Sequence, residues 1–168
     1  MKKSTTIAVA AIIVIMMGAL LFIYLQGGDT DEVVTADLTI EMYDAPASIH
    51  PGNRTVWTNE SGTWKYVTEA NNGNTVWVFK NITSRSNCYD QLLVAANIAG
   101  FTVTTDNQTL GLLVTAIDDI SNNDPKISDG QRAWQYLVDD VYANRASNVY
   151  SIDEGSSVEW RYMINQFG

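Results

Sequence analysis

One cysteine and one histidine in 168 residues leave little room for the chemistry those side chains carry. Cys88 alone forms no internal disulfide, so a domain built from this chain is held by its core even in an oxidising compartment. A structural zinc site needs four Cys or His ligands, and one of each falls short. A hydrolytic triad has a single base candidate, His50, in the loop-like stretch Ala47-Ser48-Ile49-His50-Pro51-Gly52. No motif ties it to Cys88 or to a particular serine, so it reads as a solvated loop residue and the chain as a non-enzyme.

Positive charge is also scarce: 10 Lys and Arg stand against 19 Asp and Glu, for a net charge of -9. Beyond Lys2 and Lys3 there is no basic cluster, which excludes nucleic acid as a partner because a polyanion needs a positive footprint. Only one long hydrophobic run occurs, Ile7 to Leu25, free of charge and about 28 Å long as a helix. Lys2 and Lys3 precede it and Asp29, Asp31 and Glu32 follow it. The positive-inside rule then predicts residues 1–6 in the cytoplasm, a transmembrane anchor over 7–25, a linker over 26–36 and an extracytoplasmic domain over 37–168. The expected location is therefore a cell membrane, crossed once. A cleaved secretory signal is the rival reading, against which stand the length of the run and the lack of a small-x-small site in Tyr24 to Gly28. Four sequons begin at Asn53, Asn59, Asn81 and Asn107. They are candidate glycosylation sites, although a chain this rich in Asn, Ser and Thr yields such matches by chance.

Asp118, Asp119, Asn122, Asn123, Asp124 and Asp129 crowd hard oxygens around Pro125. Asp119, Ser121 and Asn123 have the first spacings of a calcium loop, but Asp124 replaces the turn glycine and Gly130 the bidentate acid. The segment Asp118 to Gly130 reads as an ordinary exposed loop, with no metal assigned. Asp139-Asp140 reads as a polar strand end.

Alternation of Leu38, Ile40 and Met42 with Asp37, Thr39 and Glu41 predicts a half-buried strand opening the domain. Asn71-Asn72-Gly73-Asn74 separates Trp64 to Val67 from Thr75 to Phe79 and predicts a β-hairpin between them. Asn87 as N-cap, Asp90 in the first turn and Gly100 as terminator predict a helix over Cys88 to Ala99. Its small apolar face is Cys88, Leu92, Ala95, Ala96 and Ala99. Phe101 to Thr104 and Leu112 to Ile117 read as strands. Trp134, Tyr136 and Val138 share one face of a later strand, as do Val158, Trp160 and Tyr162 of the last. Core packing is the simplest use of those rings, which leaves Gln135 as the exposed contact. The predicted fold class is α+β: a β-rich, β-grasp-like sheet packed on one main helix, preceded by the transmembrane helix.

The run Ala133-Trp134-Gln135-Tyr136-Leu137-Val138, then Val149-Tyr150-Ser151-Ile152-Asp153-Glu154-Gly155, then Val158-Glu159-Trp160-Arg161-Tyr162, carries a resemblance. It resembles the C-terminal β-rich domain of transcobalamin and intrinsic factor, together with prokaryotic relatives of unknown function. The similarity covers about Thr75 to Tyr162. In the cobalamin carriers this domain covers one side of the corrinoid and its Trp-Gln strand contributes contacts. The resemblance thus implies Trp134, Gln135 and Tyr136 as ligand-binding positions, with cobalamin or another corrinoid as ligand and no intrinsic cofactor. Those carriers also have an α/α-barrel domain that this chain has no residues to build, so a partner must supply the other half of such a site. Two other readings stand beside it. One is a structural or adhesive surface module that pairs with a surface protein or with itself; the other is a carbohydrate-binding domain using Trp57, Trp64 or Trp77.

Overall fold

A computed structural model describes residues 32–71, 73–127 and 131–164. The expected anchor over 7–25 and cytoplasmic residues 1–6 lie outside these. Among the described residues no helix is long and apolar enough to cross a membrane.

The described residues form ten strands and one α-helix: β1 Val33–Glu41, β2 Asn53–Glu60, β3 Thr63–Ala70, β4 Thr75–Arg85, α1 Cys88–Ala99, β5 Val103–Gln108, β6 Gly111–Ile117, β7 Ile120–Ser121, β8 Arg132–Val138, β9 Val141–Tyr142 and β10 Ser157–Ile164. A 3-10 turn, Ala47–Ile49, lies between β1 and β2. Seven strands form a mixed sheet in the order β3-β2-β4-β1-β10-β8-β9, and β5-β6-β7 form a separate antiparallel sheet. The fold is therefore β-rich with two sheets, and the expected α+β, β-grasp-like class is wrong. Its error is physical: a 12-residue helix covers only part of a seven-stranded sheet. A second sheet covers more of the same face. Trp77 of β4 stacks on Phe101 at 4.7 Å, and the Trp134 indole N–H donates to the Ile120 carbonyl at 2.8 Å.

The expected Trp64 to Phe79 hairpin is also corrected. β3 pairs with β2 across Ser61 and Gly62, whose φ angles of 53° and 86° suit a tight two-residue turn. β4 instead runs parallel to β2 and antiparallel to β1. β1 starts at Val33, inside the expected linker, because Val34 and Ala36 continue the buried alternation that Leu38 and Ile40 carry. The parallel pairing of β1 with β10 joins the two ends of the domain.

The helix forms where the sequence placed it. Asn87 Oδ1 accepts the Asp90 N–H at 2.8 Å, and Gly100 closes the helix at a φ of 79°. Cys88, Leu92, Ala95 and Ala96 face the sheet, and Gln91 with them donates to the Asp37 carbonyl at 3.2 Å. Beneath them, Leu38, Ile40, Phe79, Ile82, Val158 and Trp160 are fully or almost fully buried. Each such side chain contributes about 1.5–3 kcal/mol by leaving water.

Candidate functional site

The motif strand β8 lies between β10 and β9, with Trp134 opposite Tyr162, Tyr136 opposite Trp160 and Val138 opposite Val158. All six are buried on the inner face. Ring contacts tie them together, at 5.3 Å between Trp134 and Tyr162 and 5.0 Å between Tyr136 and Trp160. Gln135 is on the outer face as expected, yet it is only 7% exposed, which corrects the expectation of an open contact. Its amide donates to the carbonyls of Met163 and Ile164, and its oxygen accepts from the Tyr142 hydroxyl. The hairpin to β9 turns through Asp139 and Asp140, at φ angles of 50° and 65°, and carries Tyr142 to Gln135.

Although buried, this strand underlies two concavities. Trp134 and Trp77 line a small cleft of about 160 Å³ that also includes Met42, Ile117 and Ile120. Tyr136 reaches the other one indirectly. Its hydroxyl donates to the Arg145 carbonyl at 2.7 Å, and its own carbonyl accepts the Ala143 N–H at 3.1 Å. Burial pushes the Tyr136 phenol far above its usual range, so it stays a neutral donor. The segment held in this way, Ala143 to Val149, is one wall of a groove of about 520 Å³.

The opposite wall is the β5–β6 turn and the start of β6. Leu110, Leu112 and Leu113 line it and face Ala143, Ala146 and Val149, with Gln108, Asn144 and Arg145 as polar members. Two contacts set the spacing of the walls. Asn148 Oδ1 accepts the Leu112 N–H at 2.8 Å, and Gly111 has φ 129° with no side chain to hold the walls apart. A Cβ at Gly111 would lie 2.5 Å from the Ala146 Cβ. Leu110 is 84% exposed and Val149 41%, so the groove opens to solvent with apolar walls. Its size falls within the range of small-molecule sites, about 300–1,000 Å³. None of the residues that line it was among the site residues expected from the sequence.

His50 Nε2–H donates to the Ala45 carbonyl at 2.7 Å, in the loop after the 3-10 turn. Cys88 is buried, and burial raises its thiol well above the usual range, which keeps it protonated. Asp124 is buried rather than solvated, and its carboxylate accepts the N–H groups of Lys126 and Ser121. Among the described residues no three His, Cys, Asp or Glu side chains gather as for a metal ion. Asp139 accepts from the Ser156 hydroxyl and the Ser157 N–H. Trp57 packs 4.8 Å from Tyr66 and stacks on Phe79, so Trp57 and Trp77 are half-buried in ring contacts instead of standing free for a sugar. Trp64 is half-buried as well. Asn53, Asn81 and Asn107 are exposed, while Asn59 is half-buried and its oxygen accepts the Gly62 N–H.

A family model described as a domain of unknown function, DUF4430, matches residues 91–163. The match takes in both groove walls, the motif strand β8 and β10 as far as Met163. Among solved structures, haptocorrin in complex with Cbi is similar over 80% of this chain and 26% of its own, at 11% identity and a TM-score of 0.46. This chain thus spans about a quarter of that one. A candidate metal binding protein from Ruminococcus gnavus ATCC 29149 is similar over 68% of this chain and 99% of its own, at 15% identity and a TM-score of 0.37. No curated protein matches the chain.

Proposed function

We propose that this chain is a membrane-anchored, extracytoplasmic module that binds the apolar face of a small molecule in the groove between Leu110 to Leu113 and Ala143 to Val149. The observation that carries this reading is the groove itself: about 520 Å³, walled by leucine, alanine and valine, and pinned by the Asn148 to Leu112 hydrogen bond. Apolar walls with a few polar members are the usual make-up of a ligand site. Because Leu110 projects to solvent, the groove covers one side of a ligand and leaves the other for a partner protein. A corrinoid is the first ligand to try, on the strength of the Trp134-Gln135-Tyr136 resemblance. In that reading the motif residues act from beneath: Tyr136 holds the wall at Arg145, and Trp134 holds the second sheet at Ile120.

Equilibrium dialysis of the full chain in detergent against dicyanocobinamide tests this, read by retained visible absorbance. Retained pigment that is lost in Leu113→Asp supports the reading. Pigment equally retained by Leu113→Asp contradicts the groove as its site. No retention of pigment, and no groove-dependent fluorescence of an anilinonaphthalene sulfonate probe, contradicts ligand binding there.

A further inference from the structure

Among the described residues β3 has a neighbour on one side only, β2, and it ends the seven-stranded sheet. It is an eight-residue strand paired with β2 throughout without a register shift, and it contains no proline. Tyr66 is 63% exposed and Val67 60%. Such an edge is a template for a further strand.

The turn at Ser61 and Gly62 determines which groups are open. In a two-residue hairpin the flanking pair, Glu60 and Thr63, is hydrogen-bonded, and such pairs then alternate along the ladder. Thr63, Lys65, Val67 and Glu69 therefore direct their backbone groups toward β2. The Asn71 N–H to the Gly52 carbonyl, at 3.1 Å, continues the same alternation. Trp64, Tyr66, Thr68 and Ala70 direct theirs outward.

We infer that two copies of this chain pair β3 against β3, antiparallel, across a two-fold axis at Val67. Outward-facing residues must pair with outward-facing residues, which leaves axes at Tyr66, Val67 or Thr68 as the central choices. An axis at Tyr66 sets Lys65 against Val67, and one at Thr68 sets Val67 against Glu69. With the axis at Val67, valine meets valine and Lys65 of each copy meets Glu69 of the other. Tyr66 then exchanges backbone hydrogen bonds with Thr68 of the second copy. Lys65 already pairs with Glu60, and Glu69 with Arg54 at 2.9 Å, both across the outer face. The dimer joins these into two four-residue rows of alternating charge, and opposite charges facing each other across strands favour that register. The interface is isologous, as a two-fold contact requires. One strand pair makes a small interface, so the association is weak and concentration-dependent.

Sedimentation equilibrium of the full chain in detergent, over a range of concentrations, is expected to show a reversible monomer–dimer transition. Mild oxidation is expected to couple Val67→Cys with itself, since opposed Cα atoms in a non-hydrogen-bonded pair lie about 4.5 Å apart. Tyr66→Cys is expected to couple more slowly. Thr68→Pro removes an outward N–H without touching the β2 ladder and weakens the dimer about tenfold or more. Should that variant not fold, Lys65→Glu sets Glu opposite Glu and weakens it likewise. A wild type that stays monomeric, faster coupling of Tyr66→Cys, or a folded Thr68→Pro that dimerises unchanged overturns the inference.

Discussion

The Tyr136 hydroxyl donates to the Arg145 carbonyl at 2.7 Å and so joins the most recognisable strand of the sequence to the wall of the apolar groove. The aromatic residue is buried, and what it controls is a surface loop. Tyr136→Phe removes the donor and nothing else of the ring. It is expected to lower stability by about 1 kcal/mol, since the Arg145 carbonyl lies at an exposed residue and can turn to water. Hydrogen exchange should quicken over Ala143 to Val149 and stay unchanged in α1.

Gly111 is the tightest point of the groove. An alanine there would bring its Cβ to 2.5 Å from the Ala146 Cβ and 2.6 Å from Asn148 Oδ1, at a φ of 129° that side chains rarely adopt. Overpacking and backbone strain together are expected to cost about 2–5 kcal/mol. Thermal denaturation measures the loss, and the Leu112 amide should lose its protection first.

Trp134 tests whether the motif strand works by packing or by contact. It is 4% exposed, and its indole N–H is bonded to Ile120. Trp134→Ala is expected to destabilise by about 3–5 kcal/mol. Chemical denaturation would show this as a lower midpoint. A variant of unchanged stability would mean that the ring is not part of the core.

Asp124 gives the domain a sensitivity to acid. Hydrogen bonds from the Lys126 N–H, and then from Ser121, hold its carboxyl below the ordinary value of 3.8 despite its burial. A lowered folded-state pKa stabilises above the unfolded value and ceases to do so as pH falls through the folded one. Asp124→Asn is therefore expected to be less stable than wild type at neutral pH, by about 1–2 kcal/mol, with the gap closing below about pH 4. Urea midpoints measured from pH 7 down to pH 3 check both the size and the direction.

What the sequence revealed was local. Asn87, Asp90 and Gly100 bound the helix because capping is settled within a few residues, and Trp134, Tyr136, Trp160 and Tyr162 share a face because strand alternation is equally short-ranged. The rest depends on distant partners. β2, Asn-Arg-Thr-Val-Trp-Thr-Asn-Glu, is half-buried along most of its length and shows no alternation to read. Without it, the sequence pairs β3 with β4 and points to one sheet around a helix, whereas β3 pairs with β2 and the strands form two sheets. Gln135 is covered because the Asp139-Asp140 turn brings Tyr142 to it, a contact that strand alternation does not reveal. The groove is a meeting of residues 108–113 with 143–149, and its key bond, Asn148 to Leu112, spans 36 residues. Neither segment carries a motif that announces the other.

In the proposed function the Leu110 to Leu113 and Ala143 to Val149 walls hold a ligand. Its most direct test is amide chemical-shift mapping of isotope-labelled full chain in detergent, titrated with dicyanocobinamide. Saturable shifts confined to those two segments, and weakened in Leu113→Asp, are expected. Saturable shifts that fall elsewhere, such as the Trp57 to Tyr66 hairpin, or no shifts at any ratio in the folded chain, would contradict it.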